Sequence, residues 1–336
     1  MELLAATEDN LRRAGACIAE GGLVALPTET VYGLGADAFN PRAVARVFQA
    51  KARPTFDPLI VHIASLDEVS RVALPAGGAA RILMERLWPG PLTLILPRRE
   101  KLPDLVTSGL PTVALRYPSN ALARAIIRYS GTAVAAPSAN PFGYLSPTMA
   151  SHVAAQLGDR VDLIVDGGTC HIGVESTVLD VTVDPPVVLR PGGMEIEAIE
   201  ALIGPVAIGG RGSAPPRPLS PGQLDSHYAP RTPLRLLPVD EIVTQVATLD
   251  SSLRRAALLF REESLSRLGD AARKFAEIRL LSASGDMVEA AARLFLELHE
   301  LDDRRFEEIW VEPVPERGLG LAINDRLRKA SFGHFR

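Results

Sequence analysis

Two fixed cations stand two residues apart in a short segment that proline stiffens. Lys51 and Arg53 open the stretch KARPTFDPL at 51–59. Far downstream, Ser138 and Asn140 each stand next to a proline. Phosphate oxygens favour an arginine fork and a lysine point charge, and proline lowers the entropy lost when such a loop is ordered. The two segments together predict a rigid polar pocket for a polyphosphate.

Other polar side chains stand where apolar runs end. The runs at 23–26, 113–115, 133–136 and 187–189 lead into PTETVYGLG, Arg116, PSANP and Arg190. A strand that ends in hydroxyls, charges and glycines commonly opens a cleft at the carboxyl end of a sheet. We therefore expect the tips of several strands to converge on one polar site.

Hydrophobic periodicity predicts an alternating α/β domain in the first two-thirds of the chain. Helical patterns cover 8–20, 41–50, 66–72, 78–87, 119–129 and 148–157. Short apolar runs typical of strands cover 22–27, 59–63, 92–97, 112–116, 132–136, 161–165 and 176–182. The order of the strands in the sheet cannot be derived from this pattern.

A stretch of glycine and proline at 209–218 breaks the pattern, which starts afresh after residue 232. Strand-like runs then follow at 234–237, 256–260, 278–281 and 308–311, with a clear helix over 286–301. We predict a domain over 1–205, a linker over 206–232 and a smaller Rossmann-like domain over 233–336. The linker could be a passive tether, but a tether needs neither the imidazole of His227 nor the ring of Tyr228, which favours a lid. The first strand of this smaller domain is not followed by a GxGxxG motif, and the chain contains no P-loop motif. The sequence therefore does not indicate which ligand, if any, the smaller domain binds.

Composition excludes several classes of protein. With 336 residues the chain is long enough for two domains, and its net charge of -4 with 5% aromatic residues gives no broad nucleic-acid footprint. Cys17 and Cys170 are too few for a disulfide framework and lack metal-site spacing. Since no apolar run reaches the ~20 residues that span a bilayer and no signal peptide is evident, we expect a cytoplasmic protein without membrane association.

The motifs closely resemble those of the threonylcarbamoyl-AMP synthase family in its long form. The resemblance rests on PTETVYGLG at 27–35, KARPTFDPL at 51–59, WPGPLTLIL at 88–96, Arg116, APSAN at 136–140, ESTVLD at 175–180 and LRPG at 189–192. SPGQLDSHYAP at 220–230 resembles the family's linker, and GLGLAINDRLRKA at 318–330 resembles the end of its extra domain. The resemblance implies an α/β fold: a twisted, open mixed sheet in a YrdC-like catalytic domain, and a second, smaller Rossmann-like α/β domain.

The resemblance also implies a reaction. L-threonine, bicarbonate and ATP, with Mg²⁺, would give threonylcarbamoyl-AMP and pyrophosphate, and a partner transferase complex would use the product to modify the tRNA adenosine next to the anticodon. Such chemistry needs positioning and charge neutralisation more than a covalent nucleophile. No carboxylate cluster marks a metal site of the protein's own, so we expect Mg²⁺ to be carried by the phosphates.

Roles for individual positions follow from the resemblance. Lys51 and Arg53 would hold the phosphates and carry the catalysis. The remaining ATP-binding positions are Asp57, Thr112, Ser138, Asn140, Ser146, Arg190 and, from the linker, Tyr228. The L-threonine positions are Thr30, His62, Arg116, Ala136 and Ser176, with Arg116 the natural partner of the substrate carboxylate.

Some of these positions have structural alternatives. His62 could be a hydrogen-bonded core histidine, Ser176 could satisfy the end of a strand, and Asn140 could cap a turn between prolines. Asp57 departs from the family, which more usually has Asn there. Because a carboxylate repels phosphate, we expect Asp57 to face the ribose or the base of the nucleotide if it contacts it at all.

Two other functions stay open at this point. A non-catalytic RNA-binding or translation-associated protein could use the same groove, although it would need a basic stripe with stacking aromatics. Direct tRNA binding is accordingly weakly supported. The protein could also transfer carbamoyl groups from another donor in a different pathway. Threonine-dependent release of pyrophosphate would distinguish the threonylcarbamoyl-AMP synthase from this alternative.

Overall fold

A computed structural model describes residues 1–75, 77–209, 218–223, 227–246 and 253–332. The chain divides into two compact units. The first comprises Met1–Phe142, Ser146–His171 and Glu175–Leu224, and the second comprises Gly143–Leu145, Ile172–Val174 and Asp225–Arg336. Most of the predicted break at 209–218 and part of the predicted linker, 210–217 and 224–226, lie outside the described residues.

The first unit alternates strands with helices. Its strands are β1 Glu2–Ala5, β2 Val24–Leu26, β3 Gly33–Asp37, β4 Ile60–His62, β5 Leu92–Pro97, β6 Thr112–Arg116, β7 Val134–Ala135, β8 Leu163–Asp166, β9 Thr177–Asp180, β10 Val187–Arg190 and β11 Ala207–Ile208. Its helices are α1 Glu8–Ala19, α2 Pro41–Lys51, α3 Val69–Val72, α4 Gly78–Leu87, α5 Asp104–Thr107, α6 Ala121–Ser130, α7 Ala150–Leu157 and α8 Ile196–Ile203.

In the described part of this unit, eleven strands form one mixed sheet in the order β1-β8-β2-β3-β7-β4-β6-β5-β9-β10-β11. Parallel pairs such as β4 with β6 stand beside antiparallel pairs such as β6 with β5. The sheet thus confirms the predicted mixed α/β fold. It also brings β4, β6, β5 and β9 side by side, although they are far apart in sequence.

Helix termini in this unit follow their capping residues. Asn40 caps α2 by accepting hydrogen bonds from the backbone N–H groups of Arg42 and Ala43, with Pro41 in the first turn. Asn120 caps α6 in the same way. The helix α2 ends at Lys51, where Ala52 takes a left-handed conformation and Pro54 follows. Local sequence therefore places Lys51 at the last turn of a helix.

The core of the first unit lies where α1 and α6 cover the sheet. Leu11 and Ile18 of α1 and Ile126 of α6 pack with Val24 and Val165 of the strands in one buried cluster. Apolar residues at helical spacing on α1 and α6 supply this face. The helices leave the polar strand ends described below uncovered by this cluster.

The second unit is a smaller parallel α/β domain. Its elements are β12 Leu234–Leu236, α9 Val239–Val246, β13 Arg255–Leu259, α10 Glu262–Leu268, β14 Glu277–Leu280, α11 Met287–Asp303, β15 Glu308–Val311 and α12 Gly320–Ser331. Its described strands form a parallel sheet in the order β12-β15-β13-β14. This confirms the predicted second, smaller α/β domain.

Most predicted elements agree with the structure to within one to three residues, while the strands β1, β3 and β11 and the helices α5 and α8 were missed. The strand β3, GLGAD, contains two glycines and is held by antiparallel neighbours on both sides. Its sequence has low strand propensity, so tertiary pairing decides its structure. The predicted helix over 66–72 is a 3₁₀ turn at Leu66–Glu68 followed by the short α3. No helix in the described part of the chain is long and apolar enough to cross a membrane.

Candidate active site

Lys51 lies against the loop that follows β7. Its Nζ donates hydrogen bonds of 2.5 Å to the carbonyl oxygens of both Ser138 and Asn140. The backbone N–H of Phe142 returns a hydrogen bond of 2.8 Å to the Lys51 carbonyl. The two segments that the sequence singled out are thus joined directly. Burial, with the neighbouring charge of Arg53, holds the pKa of Lys51 well below its usual range.

Arg53 and Asp57 form a buried ion pair within the same segment. Arg53 Nη2 lies 2.9 Å from Asp57 Oδ2, with the two side chains 3% and 1% exposed. Arg53 also donates to the carbonyls of Asp57 and Pro58, at 3.1 and 2.9 Å. Burial raises the pKa of Asp57, while Arg53, Lys51 and Arg190 oppose that rise. Three cations therefore lie within electrostatic reach of this carboxylate.

His62 and Arg116 are cross-strand partners at the ends of parallel strands. The register pairs His62 of β4 with Arg116 of β6, and Arg116 with Thr93 of β5. Residues paired in this way point to the same face of a sheet. The sheet therefore places an imidazole, a guanidinium and a hydroxyl in one row, as the predicted convergence of strand ends requires.

Glu29 balances the charge of Arg116. Arg116 Nη2 donates to Glu29 Oε1 at 2.7 Å, and the side chains are 4% and 0% exposed. Glu29 Oε2 accepts from the backbone N–H of Asn120 at 3.3 Å. Burial favours the neutral acid, but the charge and hydrogen bond of Arg116 and the backbone donors outweigh it and lower the pKa of Glu29 to about 2. The carboxylate is ionised and faces the guanidinium.

His62 is neutral at physiological pH. Burial, and then the charge of Arg116, lower its pKa to about 3. Its Nδ1 lies 3.3 Å from the Ile60 carbonyl oxygen. A neutral imidazole beside a guanidinium can donate or accept a hydrogen bond without adding charge.

The turn after β2 presents Thr30. The hydroxyl of Thr28 accepts from the backbone N–H groups of Thr30 and Val31, at 3.1 and 3.2 Å, and lies 2.8 Å from the Thr30 hydroxyl. This turn follows the Ser/Thr pattern in which a side chain satisfies nearby backbone groups. Ala136, in the loop after β7, is buried and donates its N–H to the Ile60 carbonyl at 2.9 Å.

Ser176 and Arg190 meet at the start of β9. Arg190 Nη2 donates to the Ser176 carbonyl at 2.9 Å and lies 3.3 Å from its hydroxyl, while that hydroxyl lies 2.8 Å from the Thr93 hydroxyl. Gly192 makes the close approach feasible, because a Cβ there would lie 2.3 Å from the Ser176 carbonyl carbon. The glycine of LRPG is therefore needed because a side chain at position 192 would collide with the backbone of Ser176.

Ser146 and Glu175 are hydrogen-bonded to each other, the hydroxyl donating to Glu175 Oε1. Both side chains are buried. Glu175 also lies within electrostatic reach of Lys51. Asn140, equally buried, donates from Nδ2 to the Pro141 carbonyl at 2.9 Å.

An apolar floor continues from the polar row along the same face of the sheet. Ile60, Ile95, Ala114 and Val178 form one buried cluster there. Beyond it, Thr112 begins β6, four residues from Arg116 or about 13 Å along the strand. The predicted nucleotide position Thr112 and the predicted threonine position Arg116 therefore lie at opposite ends of this floor.

Tyr228 is the one predicted position assigned to the second unit. It is buried, with φ at 63°, and its ring packs against Phe295 with 5.7 Å between centroids. The Arg326 guanidinium lies 5.2 Å from its ring. Its predicted nucleotide contact stays a prediction.

Three polar residues near the predicted positions were missed by the sequence reasoning: Glu29, Thr93 and Glu175. Each was inside a quoted motif but received no role. Thr93 could have been found as the polar residue of an otherwise apolar strand. Glu29 and Glu175 could have been found as charged residues beside apolar runs, a pattern that indicates a buried and partnered charge. The partners of these residues are distant in sequence, so the contacts could not be read from spacing.

Comparison with known proteins identifies the family of this chain. A family model described as "Telomere recombination" matches residues 16–192, and one described as "Threonylcarbamoyl-AMP synthase, C-terminal domain" matches residues 194–331. A threonylcarbamoyl-AMP synthase of Pyrococcus abyssi is 43% identical over 331 residues, which cover 96% of this chain and 94% of that protein. The chain belongs to the threonylcarbamoyl-AMP synthase family.

Two further relatives support this membership. A threonylcarbamoyl-AMP synthase of Bacillus subtilis is 43% identical over 334 residues, covering 98% of this chain and 95% of that protein. The crystal structure of P. abyssi Sua5 complexed with L-threonine matches with a TM-score of 0.92 at 39% identity and covers 98% of each chain. The family resemblance that the motifs indicated is confirmed over both units.

Proposed function

We propose that this protein is an L-threonylcarbamoyladenylate synthase, which converts L-threonine, bicarbonate and ATP into threonylcarbamoyl-AMP and pyrophosphate. The observation that carries the proposal is its 43% identity, over nearly the full length of both chains, to proteins named threonylcarbamoyl-AMP synthase. The buried residues described above supply what such a reaction needs. Proteins that bear the name of an enzyme also favour catalysis over the RNA-binding alternative.

L-threonine would bind at the polar row. The guanidinium of Arg116 suits the substrate carboxylate, and the neutral His62 and the hydroxyls of Thr30 and Ser176 suit the rest of the amino acid. Arg116 and His62 are paired across strands, and Arg190 fixes the backbone of Ser176. Ala136 would line this end of the pocket with its small side chain.

ATP would bind around the cations. Lys51, Arg53 and Arg190 each lie within electrostatic reach of Asp57, and they would neutralise the phosphates. Ser138, Asn140, Ser146 and Thr112 would place the remaining groups, and Tyr228 would contribute from the linker. Asp57 Oδ2 is paired with Arg53, whereas the buried Asp57 Oδ1 has no hydrogen bond among the described residues, which suits an oxygen that accepts from a ribose or base donor.

Catalysis would come from orientation and charge neutralisation. The amine of threonine must lose a proton and add to bicarbonate with loss of water, which gives a carbamate, and the carbamate oxygen must then attack the α-phosphorus as pyrophosphate leaves. Cations held without mobility in a buried site stabilise the charge that builds up on the phosphates. Lys51, whose pKa is lowered by burial, would regain its charge when it faces a phosphate.

Mg²⁺ enters this proposal with ATP. No three His, Cys, Asp or Glu side chains cluster closely enough to hold an ion in the described ranges. Mg²⁺ in ATP sites usually keeps several waters and few protein ligands, so these residues fit an ion carried on the phosphates. There it would neutralise negative charge on the polyphosphate. The transferase complex that uses the product, and a cytoplasmic location, remain parts of the proposal.

The test is pyrophosphate release from ATP and bicarbonate, compared with L-threonine, with L-serine and without an amino acid. Release by the wild type should require threonine and bicarbonate and should be lost when Lys51 and Arg53 are both replaced by Ala. The matched control replaces the exposed Arg99 and Lys101, which have the same charges at the same spacing, and should keep full activity. ATP binding without pyrophosphate release under any condition would refute the proposed reaction.

A further inference from the structure

One described part of the predicted linker, Pro218–Gln223, folds against the cationic site. It belongs to the first unit. Gln223 Oε1 accepts from the backbone N–H groups of Leu219 and Ser220, at 2.6 and 3.0 Å, which closes a tight turn. Arg190 Nη1 donates to the Pro221 carbonyl at 3.3 Å. The turn is therefore fixed next to a residue that we assign to ATP binding.

The side chain of Ser220 is buried and unpartnered. Ser220 is 0% exposed, and its Oγ makes no hydrogen bond to any residue in the described ranges. The backbone N–H of Ser220 is hydrogen-bonded to Gln223, so only the hydroxyl lacks a hydrogen-bond partner among the described residues. Buried polar groups are nearly always hydrogen-bonded, and an exception calls for a specific cause such as a ligand.

The charges around this hydroxyl indicate what the ligand is. Arg190, which holds the carbonyl of the next residue, lies within electrostatic reach of Asp57, and Asp57 is close to both Lys51 and Arg53. Three cations thus share this neighbourhood with two carboxylates, Asp57 and Glu175, which leaves an excess of positive charge that suits an anion. A serine hydroxyl can donate to a phosphate oxygen, and hydrogen bonds to charged acceptors are the stronger kind.

We propose that Ser220 is a further nucleotide-binding residue, which donates its hydroxyl hydrogen to a phosphate oxygen of ATP; this inference rests on the proposed function. The Arg190 contact holds the Ser220–Gly222 turn in place before ATP arrives. The linker therefore contributes a phosphate ligand from its Ser220–Gly222 turn, within the first unit.

The test compares ATP binding and thermal unfolding in full-length protein. Ser220→Ala should bind ATP about 10-fold to 100-fold more weakly in calorimetry, as loss of a hydrogen bond to a charged group predicts. Without ATP, its unfolding temperature should equal or exceed that of the wild type, because an unsatisfied buried hydroxyl has been removed. Adenosine, which has no phosphate, should bind equally to both proteins.

A matched serine and a second substitution complete the design. Ser130 is also buried, but its hydroxyl donates to the Ile127 carbonyl at 2.7 Å, so Ser130→Ala should lower the unfolding temperature and leave ATP affinity unchanged. Ser220→Cys keeps the size of the side chain but donates weakly, and its ATP affinity should fall between those of wild type and Ser220→Ala.

The outcomes separate this inference from the function. If wild type binds no ATP, the proposed function fails and Ser220 loses its role with it. If wild type binds ATP and both Ser220 variants match it, the inference alone is wrong. An equal loss of affinity for adenosine would also overturn it, because the hydroxyl would then contact the nucleoside and not a phosphate.

Discussion

The ion pair between Glu29 and Arg116 should contribute strongly to the stability of the first unit, and Glu29→Gln tests this. The substitution keeps the size of the side chain and removes its charge. It leaves the guanidinium of Arg116, which is 4% exposed, without a counter-ion in the protein interior. Removing one partner of a buried pair typically costs about 3–5 kcal/mol.

The pKa of Glu29 gives a second estimate of how much the ion pair contributes to the free energy of unfolding. It is lowered from an ordinary 4.5 to about 2. A difference of one in pKa corresponds to about 1.4 kcal/mol, so the ionised carboxylate stabilises the folded state by roughly 3 kcal/mol at neutral pH. The two estimates agree. Because the folded-state pKa is lowered, this stabilisation is complete above pH 4.5 and disappears as the pH falls toward about 2.

The assay is denaturant unfolding of wild type and Glu29→Gln at several pH values. We expect wild type to be more stable by roughly 3 kcal/mol at pH 7 and by about half of that near pH 3. The control is Glu85→Gln, which removes the partner of Arg81 from an exposed pair of similar length, 2.8 Å, and should change nothing measurable. A pH-independent difference, or one no larger than in the control, would refute the electrostatic account.

Two further predictions concern residues beside the site. Ala at Gly192 would place a Cβ 2.3 Å from the Thr177 nitrogen, so we expect lower activity and a lower unfolding temperature, whereas Gly78→Ala, which meets nothing within 4 Å, should change neither; a stable, active Gly192→Ala protein contradicts this. The pKa of His62 is lowered from an ordinary 6.5 to about 3, so between these pH values the unfolded state binds a proton that the folded state does not. As the pH is lowered through this range, the free energy of unfolding of the wild type should therefore decrease more steeply than that of His62→Gln. Equal slopes in denaturant unfolding from pH 7 to 4 would show that His62 is not held neutral.

Sequence reasoning reached the cationic pair because local features produce it. Asn40 and Pro41 start α2, which ends at Lys51, and Arg53 follows directly after the helix, before Pro54. Capping and helix termination depend on neighbours within a few residues, which a sequence displays directly. The alternating apolar runs likewise predicted most strands of both units.

Contacts made across the sheet cannot be predicted from local sequence patterns. Glu29 lies 87 positions from Arg116, and Thr93 lies 83 from Ser176. Such pairs depend on the strand order, and no local pattern reveals that β4, β6, β5 and β9 are neighbours. The strand β3 was missed for the same reason, since its glycines are held by flanking strands.

The sequence by itself determined the chemistry that is available: a lysine and an arginine at a helix end, hydroxyls and an amide between prolines, and arginines at strand ends. Side-chain identity and local backbone preference fix these properties. The tertiary structure decided which charges face each other, so that Arg116 is balanced by Glu29 and Arg53 by Asp57. Burial decided the protonation of His62, because the energy of a charge depends on the solvent and the partners that only the folded chain provides.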